Sequence, residues 1–197
     1  QKLGFLYIDT GAMYRAITLK ALQQKIDSND SAQLIEMARN TAIGLSNNPD
    51  GSLKVLLDGR EVTSDIRKPV ITKYVSDVAK IKGVREVMLG LQRKLGKSRD
   101  SVLDGRDIGT VVFPDADIKF YLDAQFPVRV ERRYKELKEL GQEVTLEGIE
   151  ADLHNRDTID STREFAPLKR ADDAIYVDTT NMTIQQVVDK VLSYING

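Results

Sequence analysis

The chain has 197 residues, 41% hydrophobic and 30% charged, which is enough for one sizeable core and a small inserted subdomain. Lys plus Arg (29) nearly equals Asp plus Glu (30), so there is no global basic field of the kind that non-specific nucleic-acid binding needs, and any anion site must be local. Zero cysteines and a single histidine, His154, exclude disulfides, thiolate metal sites, cysteine nucleophiles and histidine-rich zinc sites, and agree with a reducing cytosol.

In chain order, Phe5-Leu6-Tyr7-Ile8 predicts a buried strand ending at Asp9-Thr10. Either of those two residues would cap the helix that Ala12, Ala16, Leu19 and Leu22 mark by their spacing. From Thr41 to Val62, TAIGLSNNPDGSLKVLLDGREV places Pro49-Asp50-Gly51 and Asp58-Gly59 between alternating segments, which predicts an inserted antiparallel hairpin or meander. Val84, Val87, Met88, Leu91 and Leu95 form one helical stripe, and Val102-Leu103 then leads into the turn Asp104-Gly105-Arg106-Asp107. Ile118 to Leu122 predicts a further strand, and Val130, Tyr134 and Leu137 a second helical stripe that stops near Gly141. KELGQEV (138–144) is a charged connection suited equally to a hinge or a plain surface loop. Ala174-Ile175-Tyr176-Val177 is the last strand. Strands alternating with helices predict a parallel α/β sheet, whose right-handed crossovers gather the strand C-termini along one ligand-holding edge. No apolar run approaches membrane-spanning length, and Gln1-Lys2-Leu3-Gly4 lacks the regions of a secretory signal, so a cytoplasmic protein is expected.

Within HNRDTIDSTRE, Arg156, Asp160 and Arg163 stand at i, i+4 and i+7, one face of a helix, and Arg106 lies in the DGRD turn. Guanidinium groups bind phosphate bidentately and stay charged, while a carboxylate between them accepts from ribose hydroxyls. The same spacing also suits a solvated salt-bridge ladder. At Asp9-Thr10-Gly11-Ala12-Met13-Tyr14-Arg15 a helix N-terminus offers free amides and a positive dipole end, with Thr10, Tyr14 and Arg15 close by, a setting for a phosphate.

YIDTGAMYRA (7–16), DGRDIGTVVFPDAD (104–117), RDTIDSTRE (156–164) with APLK (166–169), and DTT (178–180) occur in an order that resembles the bacterial cytidylate kinases, nucleoside monophosphate kinases that move a phosphate from ATP to CMP or dCMP. The resemblance covers nearly the whole chain. It implies a three-layer parallel sheet of the P-loop monophosphate kinase type, with a small antiparallel insertion and a helical lid. The matching divisions are a core from 1–26 and 84–128, a monophosphate-binding part over 27–83, a lid with flanking helices over 129–165, and a core strand and helix over 166–197. A monomer that binds CMP or dCMP and ATP, without nucleic acid or membrane, is the family expectation.

The resemblance also assigns roles. Arg15, Arg106, Arg156 and Arg163 would grip the monophosphate, with Thr10 and Tyr14 beside it. Asp107 would accept from the exocyclic amine of cytosine and repel the carbonyl of uracil. Ser76 and Arg85 would serve the ring nitrogen and carbonyl, and Asp160 the ribose hydroxyls. Asp104, at a strand end, would act on Mg2+ through water, as befits an ion that keeps most of its shell. Its other reading is a turn-forming Asp. Arg132 and Arg133 would approach ATP, or else remain solvent-facing charges.

One part of the family pattern is missing: no string of the form GxxxxGK[ST] occurs in these residues. In the family that glycine-rich loop precedes the segment resembling KLGFLYIDTG, and its amides cradle the donor phosphates. The expectation is therefore that Gln1 follows that loop in a longer protein. The alternatives are a kinase accepting both UMP and CMP, or a nucleotide-binding module without turnover.

Overall fold

Asp9 ends one element and starts the next, and much of the fold follows from that junction. A computed structural model describes residues 2–195. Strand β1 (Leu6–Asp9) is followed at once by helix α1 (Thr10–Gln23), and Asp9 Oδ1 accepts the Ala12 N–H at 2.7 Å, satisfying one orphan donor of the first turn. Of the two expected caps, Asp9 is the one used. Helix α1 is apolar on most sides and is correspondingly buried, with Met13, Ala16 and Ile17 shut off from water.

The chain forms two compact units, residues 1–108 with 163–165, and residues 109–162 with 166–197. In the first, α2 (Ser31–Arg39) leads into an antiparallel meander of β2 (Ile43–Asn47), β3 (Leu53–Leu57) and β4 (Arg60–Glu61), within the expected 41–62 stretch. Helices α3 (Pro69–Ala79) and α4 (Lys82–Gly96) follow; α3 packs on α1 and α4 on α2. Strand β5 (Ser101–Asp104) returns parallel to β1, with Asp9 opposite Asp104. The two carboxylates at the C-terminal ends of these strands are thus neighbours. Ile8, Met13, Ile17, Leu34, Ile66, Ile71 and Met88 form the centre of this unit's core.

In the second unit, β6 (Phe120–Asp123) pairs parallel with β7 (Ile175–Asp178). Between them run α5 (Phe126–Glu139) and α6 (Leu146–Thr162), which pack on each other, and α7 (Ile184–Ile195) closes the described chain. Helix α5 ends where the sequence places its stop: Gly141 takes φ +73°, and the Gly141 and Gln142 N–H groups turn back to Lys138 and Leu137 carbonyls. The expected class, parallel α/β with a small antiparallel insertion, is the one found. Among the described residues no helix is long and apolar enough to cross a membrane.

Helix α6 corrects one expectation. It ends at Thr162, so Arg163 lies past the helix and does not share its face with Arg156 and Asp160. Ala166 takes φ +53° just before Pro167, and a residue ahead of proline is disfavoured in the helical region. Arg163 to Phe165 lie beyond α6 and cluster with the first unit.

Candidate active site

At the C-terminal ends of β1 and β5, Thr10 donates its hydroxyl to the Asp104 carbonyl at 2.6 Å, and Tyr7 donates to Asp104 Oδ2 at 3.0 Å. Gly105 permits this approach, because a Cβ there would collide with the Thr10 hydroxyl and with Ile108. Desolvation, and then the adjacent Asp9 carboxylate, push the Asp104 carboxyl above its ordinary range, while the Tyr7 hydrogen bond, Arg106 and Arg15 pull it back. Desolvation and the same carboxylates push the Tyr7 phenol strongly up. Arg15 reaches back one turn and a half to Asp9 Oδ2 at 3.0 Å. Its buried Nε has no acceptor among the described residues.

A second cluster lies around Tyr14. Arg85 is only 3% exposed and Asp107 8%, and the Arg85 guanidinium donates to Asp107 Oδ2 at 2.6 Å and to the Ala79 carbonyl at 3.1 Å. Its Cζ also lies 5.3 Å from the centroid of the Tyr14 ring. Burial pushes the Tyr14 phenol up to about 12, with Arg85 and Arg163 opposing, Asp107 reinforcing, and a hydrogen bond from Gln92 also opposing. The Tyr14 hydroxyl is therefore neutral throughout the cellular pH range. Arg85, near the start of α4, is thus a buried and paired charge.

The first unit therefore gathers two linked groups of predicted residues. Asp104 senses Arg15 and Arg106, while Tyr14 senses Arg85, Asp107 and Arg163; Tyr14 and Arg15 are adjacent on α1. Ser76 is half-buried on α3. In the second unit, Arg156 Nε lies 3.8 Å from Asp160 Oδ2, one turn along α6, with Asp160 buried and its carbonyl accepting from Leu168 N–H at 2.7 Å. Arg132 donates to the Thr179 hydroxyl at 3.1 Å and to the Thr179 carbonyl at 2.6 Å, bracing the loop after β7. Arg133 pairs with Glu136 at 2.8 Å on the exposed side of α5.

Several contributors were not singled out by sequence. Tyr7 binds Asp104 across 97 positions, a partnership with no local signal. Gln92 is buried in α4 and meets Tyr14; its spacing of i+4 from Met88 and i+8 from Val84 places it on the apolar stripe, a signal that polarity masked. Asp157, inside the RDTIDSTRE motif, pairs with Arg129 at 2.6 Å and ties α6 to α5.

For a metal, no group of three His, Cys, Asp or Glu side chains suited to an ion occurs among the described residues. Asp9 and Asp104, opposite one another in the strand register, offer two carboxylates at most. That donor set is poor for calcium or zinc but fits magnesium, which takes one or two carboxylates and fills its shell with water and substrate phosphate.

Parallel strands that bring a capped helix N-terminus and neighbouring carboxylates to their carboxyl ends suit a phosphotransferase acting on nucleotides, of the nucleoside monophosphate kinase class. The sequence profile described as Cytidylate kinase matches residues 1–197. The chain belongs to the cytidylate kinase family. It is 49% identical over 192 residues to the cytidylate kinase of Caldicellulosiruptor saccharolyticus, covering 98% of this chain and 84% of that protein. The cytidylate kinase of Clostridioides difficile is 48% identical over 196 residues, covering 100% and 88% respectively. That of Bacillus velezensis is 46% identical over 195 residues, covering 99% and 87%.

Proposed function

We propose that this protein transfers the γ-phosphoryl group of ATP to CMP or dCMP, giving CDP or dCDP, as a cytoplasmic monomer in pyrimidine nucleotide metabolism. The observation that carries the proposal is the buried Arg85–Asp107 pair against Tyr14, with Arg163 acting on the same tyrosine. A buried ion pair is costly to assemble and contributes little net stability, so its presence beside a phosphate-binding helix end is better accounted for by ligand recognition than by folding.

In this reading Asp107, fixed through Oδ2 by Arg85, accepts from the exocyclic amine of cytosine and repels the carbonyl that uracil carries there. Arg85 and Ser76 serve the remaining base edge, and Asp160 the ribose hydroxyls. Thr10, Tyr14 and the α1 N-terminus meet the acceptor phosphate, and Arg15, Arg106, Arg156 and Arg163 offset its charge and that of the transferring group. The acceptor oxygen then attacks in line, so that the protein contributes position and charge and forms no covalent intermediate. Asp104 would hold Mg2+ through water, and the ion would neutralise charge on the donor phosphates. Residues 27–83 serve as the monophosphate-binding part and 129–165 as a lid that excludes water. Arg132 and Arg133 approach ATP from α5, Arg132 braced on the 179–180 loop and Arg133 paired with Glu136. A coupled assay of ADP production with CMP tests the proposal: nucleotide binding without ADP release would reduce the protein to a binding module.

A further inference from the structure

We propose that a cation–aromatic staple between Lys82 and Phe165 is a positioning device for Arg163, holding it against the acceptor end of the site. This rests on the reading of Arg163 as a phosphate-gripping residue.

Arg163, Glu164 and Phe165 form a three-residue strap between the end of α6 at Thr162 and the left-handed Ala166. The base of the excursion is closed by the Leu168 N–H donating to the Asp160 carbonyl at 2.7 Å. Burial alternates along the strap, with Arg163 and Phe165 half-buried about an exposed Glu164. All three cluster with the first unit, whereas the residues on either side belong to the second. Something must hold so short a segment there, and the Lys82 ammonium lies 5.8 Å from the centroid of the Phe165 ring.

The position of Lys82 points the same way. It is the first residue of α4, whose first turn carries no acidic residue, so its charge opposes the positive end of the helix. The other cations near that end are committed elsewhere, Arg85 to Asp107 and Ala79 and Lys80 to Asp77. A lysine disfavoured by its own helix but set over an aromatic ring is accounted for by that ring. Arg85 and Lys82 thus use one helix end to fix two things, the Asp107 carboxylate and the strap. An arginine held at its backbone loses less conformational freedom when it closes on a phosphate.

The test compares Lys82→Gln, Phe165→Ala and their double variant, each with Arg163 intact and with Arg163→Ala, together with Lys82→Arg and Phe165→Tyr. The readouts are kcat and KM for CMP, KM for ATP, and Tm. Each single disruption should lower kcat/KM for CMP by about two- to fivefold while KM for ATP stays fixed, and the double variant should fall no further than the worse single. Lys82→Arg and Phe165→Tyr should retain activity, and both disruptions should be silent once Arg163 is alanine. Additive losses, or losses that persist in the Arg163→Ala background, would overturn the staple in favour of plain packing. Unchanged kinetics in both disruptions beside a damaging Arg163→Ala would overturn the staple alone. A harmless Arg163→Ala would overturn the reading of Arg163 and the staple with it. Lys82 is exposed, so Lys82→Gln gives a folded protein even if Phe165→Ala does not.

Discussion

Arg85 and Asp107, separated by 22 positions in sequence, meet at 2.6 Å with side chains only 3% and 11% exposed, and the tyrosine ring of α1 lies against the arginine. Removing one member of such a pair strands the other charge away from water, at a cost of about 3–5 kcal/mol. Arg85→Ala should therefore lower the free energy of unfolding by about that amount in a urea titration, and Arg85→Met with Asp107→Leu should recover much of it. A loss below about 1 kcal/mol for Arg85→Ala would show that water reaches the pair.

Arg163→Ala should lower kcat by roughly a hundredfold or more, the scale of a removed charge-stabilising donor, with Tm nearly unchanged because the residue lies in a short segment outside any helix or strand. Steady-state kinetics beside thermal melting separates the two effects. Near-wild-type turnover would take Arg163 out of the mechanism.

Thr10 is buried, and its hydroxyl joins the first turn of α1 to the end of β5. Thr10→Val keeps the shape but leaves the Asp104 carbonyl without that donor, at a cost of about 1–3 kcal/mol. Thr10→Ser should retain most of the stability. Equal stability of the valine and serine variants in chemical denaturation would contradict this role.

The Tyr14 phenol, pushed up to about 12 chiefly by burial, holds its proton more tightly in the folded chain than in the unfolded one, where it titrates near its ordinary value of about 10. The folded state then binds more protons in that interval, so its stabilising contribution is complete below about pH 10 and is lost as pH rises toward 12. Absorbance titration should reveal a late-ionising tyrosine that is missing in Tyr14→Phe, and the variant should lose less stability across the same interval. An unchanged titration curve would place Tyr14 in water.

Much of the fold was legible because its signals are local. The strand at 5–8 and the strands after Lys119 and Ala174 announced themselves as short apolar runs, and the meander by its two glycine turns, each within a residue or two of where it lies. The site was legible as a set of residue types in order, but not as a set of partners. The burial of Arg85 depends on Asp107 and Tyr14, which approach only after α1, α4 and β5 pack, and no spacing rule reaches that far. Arg163 shows the limit of helical periodicity: the i, i+4, i+7 spacing is present, but α6 ends at Thr162, one residue too early. The charge of Arg132 is visible in the sequence, but the loop carbonyls that accept from it lie 47 or more positions away.

In the proposed mechanism a carboxylate held by Arg85 selects cytosine at a monophosphate-phosphorylating site. Its most direct test is kcat/KM for CMP, dCMP and UMP in the wild-type protein and in Asp107→Asn. The wild-type protein should prefer both cytosine nucleotides over UMP, and Asp107→Asn should narrow that preference by about tenfold or more, chiefly by losing CMP activity. Equal use of CMP and UMP by the wild-type protein, or a preference left intact by Asp107→Asn, would contradict the account.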